Sequence, residues 1–383
     1  MKYIPYGRQF VDSNDINEVS KALKQDLITT GSYVKKFEKK ISKFLKVKYA
    51  LSCSNGTAAL HLAFMAINLK KNDVVIMPAV NFIASYSMAK FMSAKIYLAD
   101  VDSLTGQMTP KTLINCINKN KIKKIKAVVT MYLGGYPENV IEFYKIKKNF
   151  KFFLIEDACH ALGAQYFYNK KFIPIGSCKH SDIATFSLHP VKTITSGEGG
   201  LVTTNNRLIY NQINLLRSHG IEKNKKFHWK YNISRPSFNY RLSDLNCALV
   251  LSQLRKINKF INYRKKIYNF YIDNLKKKHN FISFPNYLKI KPSFHLFTLS
   301  INFKKKNQKD ELLKFLKKKN IYCQFHYIPI YRFKLFSDKL NINFFLGSEN
   351  YLKNNISLPI FYNLKLFLQK KIINKISFFL SKQ

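Results

Sequence analysis

Over its first 205 residues the chain keeps switching between two hydrophobic periods. Short, nearly continuous apolar runs recur: YALSC (49–53), DVVIM (73–77), AKIYLAD (94–100), IKAVVTM (125–131), KFFLIED (151–157), IATFSL (183–188) and GLVTTN (200–205). Between most of the earlier runs lie segments with helical spacing, such as TAALHLAFMAI (57–67) and PENVIEFYKIKK (137–148). A strand apolar at successive positions must be covered on both faces, and an intervening helix lets successive strands run parallel. The pattern therefore predicts an α/β fold with a mostly parallel sheet between helical layers. Ligands of such sheets collect at the carboxyl ends of the strands. Two helical segments precede the sheet, NDINEVSKALKQ (14–25) and YVKKFEKKISKFL (33–45), the second with Val34, Phe37, Ile41 and Phe44 on one stripe.

The rhythm changes later. A long helical segment is expected from Ser243 to Leu275. Beyond it a lysine-rich region carries its own strand-like runs, FHLFTLSIN (294–302) and IYCQFHY (321–327), around the helical KDELLKFLKKK (309–319). A chain of 383 residues is long enough for two cores. The expected division is a large α/β domain over 1–250 and a smaller α+β C-terminal domain over 251–383. No apolar run approaches the ~18–20 residues that span a bilayer, and the first residues show no signal-peptide pattern. The six cysteines lie far apart without a C-x-x-C pair. The expectation is a reduced, cytoplasmic protein with no disulfide frame, no metal site and no membrane partner.

The formal net charge of +44 raises the question of nucleic acid. Only eight of the 65 basic residues are arginine, whereas readers of phosphates and base edges favour arginine. The lysine runs are spread along the chain like solvated helix faces. The expectation is no nucleic-acid partner; a basic surface also suits a small anionic substrate.

Chemistry can collect at four places. In LSCSNGTAALHLA a strand ends near Cys53 and Ser54-Asn55-Gly56-Thr57 opens a helix. Free N–H groups there suit a phosphate, and plain N-capping is the other reading. In FFLIEDACHALGA the apolar run ends on Glu156 and Asp157. A carboxylate there could hold a positive ring nitrogen, or simply cap a strand. In FSLHPVKTITSGEGG, Lys192 follows a strand, with Ser187 and His189 just before it. The glycines of GEGG do not fit G-x-G-x-x-G, because Val202 stands at the third glycine position and a strand follows. No G-x-x-x-x-G-K-[ST] loop exists. In SFNYRLSDLNCALVLSQL, Asn239 and Arg241 precede a helix that Ser243 can cap. Taken together, a phosphate cradle, a strand-end aspartate and a strand-end lysine are what pyridoxal 5'-phosphate requires: an anchor, a partner for the pyridine nitrogen and an amine for the aldehyde.

Over nearly its whole length the sequence resembles the DegT/DnrJ/EryC1/StrS sugar aminotransferases. The ordered motifs LITTGSYVKKFEKKI, SNGTAALHLA, IEDACHALGA, FSLHPVKTITSGEGG, RSHGI, FNYRLSDLNCALVLSQL, QFHYIPIY and SLPIFYNL carry the likeness. The resemblance implies fold type I of the pyridoxal-phosphate enzymes, the aspartate-aminotransferase-like fold. Lys192 would bond the cofactor aldehyde and Asp157 would face the ring nitrogen, as the two catalytic residues. His160 would contact the ring hydroxyl and Phe82 would stack on the ring. Thr57, Ala58 and Ser187 match phosphate-binding positions. Asn239 matches a residue lent to the neighbouring subunit's phosphate, which implies a homodimer with a shared active site. His326, Tyr327 and Tyr6 match positions near the sugar nucleotide. Asn81, in PAVNFIAS, stands where Thr or Ser is common in the family.

The segments GSCKHSDIATFSLHPVKTITSGEGG (176–200) and HYIPIY (326–331) look most like the pseudaminic-acid branch. The activity this implies is transfer of an amino group from L-glutamate to C4 of a UDP-linked 4-keto-6-deoxy-N-acetylhexosamine. A GDP- or dTDP-linked ketosugar is the alternative substrate. A sugar dehydratase on the same scaffold has histidine in place of the lysine, which Lys192 argues against. A basic nucleic-acid-binding or regulatory protein is the reading from another class.

Overall fold

A computed structural model describes residues 3–279, 281–285, 287–305, 307–336 and 341–381. Each of the seven apolar runs is a strand: β1 (Tyr49–Cys53), β2 (Val74–Pro78), β3 (Lys95–Ala99), β4 (Ala127–Met131), β5 (Phe153–Asp157), β8 (Ile183–Ser187) and β9 (Gly200–Thr204). Between β5 and β8 lies a short hairpin, β6 (Gln165–Tyr168) and β7 (Lys171–Pro174), which the periodicity does not announce. The seven strands form one sheet in the order β1-β9-β8-β5-β4-β2-β3. Pairings from β3 across to β8 are parallel; β9 runs antiparallel to both β8 and β1. Two reversals cancel, so β1 points the same way as β8. Gly200, the first residue of β9, pairs with Ser187 and with Cys53, the last residues of β8 and β1. The ends of β1, β2, β4, β5 and β8 thus share one rim.

Adjacent residues in the apolar runs serve opposite faces. Leu51, Val129, Ile155, Ile183 and Val202 join the core under helices α3 (Gly56–Ala66), α4 (Ala84–Phe91) and α7 (Arg207–Leu216). Their neighbours Val128 and Leu154 pack under α5 (Pro110–Lys119) and α6 (Val140–Phe150). Ala50, Ala184 and Leu201 join the core beneath α2 (Ser32–Leu45) and α8 (Asp244–Leu254). The buried series of α2 is Tyr33, Phe37, Ile41 and Leu45. The expected stripe was centred correctly on Phe37 and Ile41, with Val34 and Phe44 half-buried at its margins. Helix α1 (Ser13–Leu23) starts on a capping box of Asp12 and Asp15.

The long helix expected from Ser243 is two helices. α8 stops at Leu254 and α9 spans Ile257–Lys278. Lys256, in the turn between them, places its amine on Asp12 (2.8 Å) and Asp15 (2.6 Å). A third core follows, built on a three-stranded antiparallel sheet of Ile282–Ser283, Phe297–Ile301 and Asn355–Leu358. Helices Gln308–Lys318 and Leu366–Ser381 cover it, and Ile4 joins it from the far end of the chain. We propose that the small unit begins near residue 251 and folds around this core. IYCQFHY is not a strand, contrary to expectation. It is pinned at single bridges, Ile321 to Ile4 and Gln324 to Ser357, and then leaves the sheet toward the rim of the large one. Among the described residues no helix is long and apolar enough to cross a membrane.

Candidate active site

The rim encloses a cavity of about 290 Å³. Its walls include Thr57, Phe82, Asp157, His160, Ser187 and Lys192 from the large sheet, and Tyr6, His326 and Tyr327 from beyond it. A larger groove of about 1170 Å³ runs along α9, lined by lysines, asparagines, aromatic and aliphatic side chains, with no acid among the described residues.

The start of α3 forms one wall. Asn55 caps the helix: its Oδ1 accepts the Ala58 N–H at 2.8 Å. The Gly56 and Thr57 N–H groups, at the first two helical positions, have no acceptor among the described residues. A Cβ on Gly56 would lie 2.9 Å from the Ser187 Cβ, so only glycine lets the helix end touch the end of β8. Likewise a Cβ on Gly200 would lie 2.1 Å from the Asn55 carbonyl oxygen. These close approaches put two N–H donors and the Thr57 and Ser187 hydroxyls beside the cavity, at the positive end of a helix dipole.

Asp157, the last residue of β5, is buried. Its Oδ1 accepts the Cys159 N–H (3.2 Å) and its Oδ2 accepts the Ser85 hydroxyl (3.1 Å). Burial pushes its carboxyl up; the Cys159 and Ser85 donors and the Lys192 charge pull it back. Lys192 lies in the loop after β8. Its N–H donates to the His189 carbonyl (2.9 Å), and the loop is closed by Leu188 N–H to the Gly199 carbonyl (2.8 Å). Burial lowers the Lys192 amine below the usual lysine value, with Cys159 and Asp157 opposing. His189 and Glu198 flank the mouth as an exposed pair 4.0 Å apart.

His160 follows Asp157 by three residues. The Gly134 N–H donates to its Nδ1 (3.2 Å), so a neutral ring carries its proton on Nε2. Nε2 lies 3.1 Å from the Tyr327 hydroxyl. Burial, and then the charge of Lys192, hold His160 well below the usual histidine value. Both ring nitrogens are engaged, so the group His160 offers the cavity is the Tyr327 hydroxyl it orients. Phe82 is 51% exposed at the mouth and packs on Tyr327 with ring centroids 5.7 Å apart. His326 bonds the Ser357 hydroxyl through Nδ1 (2.9 Å) and packs on Tyr6 at 5.1 Å; burial pushes its imidazole down to about 3.

Two expected site residues lie outside the wall. Ala58 is buried and has its N–H committed to Asn55. Asn239 is exposed, with its Oδ1 accepting the Arg241 N–H at 3.3 Å. Sequence reasoning missed Ser85, which touches Asp157 across 72 residues, and Cys159 in the wall. Nothing sets Ser85 apart from the other serines. Cys159 lies within the acidic motif and was open to notice.

The donor set fits pyridoxal phosphate. Helix N–H groups and hydroxyls suit a phosphate ester, a buried carboxylate suits a pyridine nitrogen, and an amine of lowered basicity suits an aldehyde. Comparison with known proteins agrees. The model of the DegT/DnrJ/EryC1/StrS aminotransferase family matches residues 9–377. A UDP-4-amino-4,6-dideoxy-N-acetyl-beta-L-altrosamine transaminase of Campylobacter jejuni is 34% identical, over 95% of this chain and 94% of the relative. The structure of Helicobacter pylori PseC, an aminotransferase involved in the biosynthesis of pseudoaminic acid, superposes with a TM-score of 0.90 at 27% identity, covering both chains fully. Spr1654 of Streptococcus pneumoniae in its PLP-form shares the fold, with a TM-score of 0.88 at 24% identity over 99% of each chain. The chain therefore belongs to the DegT/DnrJ/EryC1/StrS aminotransferase family, a pyridoxal-phosphate enzyme of fold type I.

Proposed function

We propose that the protein transfers the amino group of L-glutamate to C4 of a UDP-linked 4-keto-6-deoxy-N-acetylhexosamine. The observation that carries this reading is the convergence of Lys192, Asp157 and the open start of α3 on one cavity. The identity to the Campylobacter jejuni transaminase over almost the whole chain supports the choice of sugar.

The bound cofactor supplies an electron-withdrawing ring that makes the hydrogen beside the amino group acidic. The chain's residues do the rest. Thr57, Ser187 and the N–H groups at the start of α3 would hold the phosphate. Asp157 would accept a hydrogen bond from the ring nitrogen and keep it protonated. Phe82, at the mouth, would cover the ring. Lys192, made less basic by burial, takes the proton from the α-carbon of glutamate and later hands one to C4 of the sugar. Tyr327, oriented by His160, presents its hydroxyl to the cavity, and Tyr6 and His326 form the wall on the sugar side. Asn239 is exposed in one chain and serves the phosphate of the neighbouring subunit in a homodimer. The chain works in the cytoplasm.

Borohydride reduction of the yellow protein followed by peptide mapping is expected to place the cofactor on Lys192. Lys192→Ala is expected to lose amino transfer by about 10³-fold or more. Mass spectrometry of a panel of UDP-, GDP- and dTDP-linked 4-ketosugars with glutamate should give the largest yield from the UDP-N-acetylhexosamine. A cofactor adduct elsewhere, or a preference for a GDP sugar, overturns the corresponding part of the reading.

A further inference from the structure

Behind Asp157 lies a short hydrogen-bond chain that the reaction as described does not use. The Asn81 side-chain amide donates to the Ser85 hydroxyl (3.3 Å), and that hydroxyl donates to Asp157 Oδ2 (3.1 Å). Asn81, Ser85 and Asp157 are all buried. Asn81 and Ser85 flank the start of α4, so the end of β2 and the first turn of that helix present them together to the end of β5. Asn81 Oδ1 is buried with no hydrogen-bond partner among the described residues. The side chain is thus held for its nitrogen, which can only donate.

A serine hydroxyl has one proton and two lone pairs. Near a helix start it can turn that proton back to the carbonyl four residues earlier, here Asn81's own. An amide N–H pressed against the serine oxygen blocks that turn and polarises the O–H outward. We propose that Asn81 is a positioning residue: its amide N–H commits the single proton of Ser85 to Asp157, so that the proton shared between Asp157 and the cofactor stays on the ring nitrogen. This rests on the reading of Asp157 as the partner of that nitrogen. A carboxylate stripped of its donors is more basic and draws the shared proton to itself, leaving a neutral ring that withdraws electrons less strongly. Cys159 N–H donates to the other carboxylate oxygen, and Lys192 is the positive charge that acts on the same carboxylate. The Cys159 thiol donates to the same carboxylate as well; among the described hydrogen bonds Ser85 is the one that serves Oδ2.

The test uses full-length enzyme loaded with pyridoxal phosphate carrying nitrogen-15 in the ring, whose NMR shift reports where the proton sits. Ser85→Ala should move the signal toward the unprotonated value and slow the half-reaction with glutamate by about tenfold. Asn81→Leu, which also removes an unpaired buried oxygen, should move it the same way by less. In the double variant Asn81→Leu should add nothing, because it acts only through Ser85, and Ser85→Thr should restore the wild-type shift. An unchanged signal in Asn81→Leu, or an Asn81→Leu effect that persists in the Ser85→Ala background, overturns the relay. A wild-type enzyme that binds cofactor with an unprotonated ring nitrogen overturns the reading of Asp157 itself and the relay with it. The two failures are therefore distinguishable.

Discussion

Of the residues on the cavity wall, Lys192 has the most direct pH signature. Burial disfavours its charged form, so its folded value lies below the ordinary 10.5. Between those two values the unfolded chain binds more protons than the folded one, and the contribution of Lys192 to stability rises with pH across that window. The same shift gives a larger neutral fraction at any lower pH. The rate of cofactor uptake by cofactor-free protein, followed by its visible colour, should therefore reach its plateau below the pH at which a free lysine would. A midpoint at the ordinary lysine value would show that the amine is not desolvated. At this scale the sequence was legible only where a residue closed a strand. Asp157 ends an apolar run, and Lys192 follows one closely. Ser85 and the Gly134 N–H act across 72 and 26 residues, and no local pattern carries such distances.

The strands were read well because most are buried along nearly their whole length and largely apolar, which leaves a continuous signal; even the edge strand β3, with Lys95 exposed, keeps Ile96, Tyr97, Leu98 and Ala99. The β6–β7 hairpin was not, since each strand has only four residues, of mixed burial. IYCQFHY has strand chemistry, but it meets each of its two backbone partners in an isolated bridge and not a continuous ladder, so composition alone misled. The break between α8 and α9 has neither Pro nor Gly; the pull of Asp12 and Asp15 on Lys256 sits there, and those partners are remote in sequence. The element most sensitive to a small change is the seam of β1, β9 and α3. Gly200→Ala forces a methyl group against the Asn55 carbonyl. It should cost about 2 kcal/mol of stability by overpacking and weaken cofactor binding by tilting the start of α3. Thermal unfolding and a cofactor titration check the two effects separately.

At the scale of the whole molecule, the proposed homodimer, with Asn239 serving the neighbouring subunit's site, is testable by mixing. Lys192→Ala and Asn239→Ala chains, each inactive or weakened alone, should regain amino transfer when dissociated together and reassociated. One site of each hybrid dimer then carries both lesions and the other carries neither. Recovery no greater than the sum of the parents would place Asn239 outside the neighbour's site. The exposed position of Asn239 was not deducible from its motif, which reads only as a helix start.

The cavity draws its two walls from different parts of the fold. The large sheet's rim supplies Asp157 and Lys192, while His326 and Tyr327 arrive on a segment bridged to Ile4 at Ile321 and to Ser357 at Gln324. If His326 and Tyr327 form the sugar-side wall, as proposed above, chemistry and choice of sugar become separable by cut and paste. A chimera that keeps the chain through β9 and imports the 321–331 segment from a relative would retain its parent's turnover machinery while exchanging its taste in hexoses.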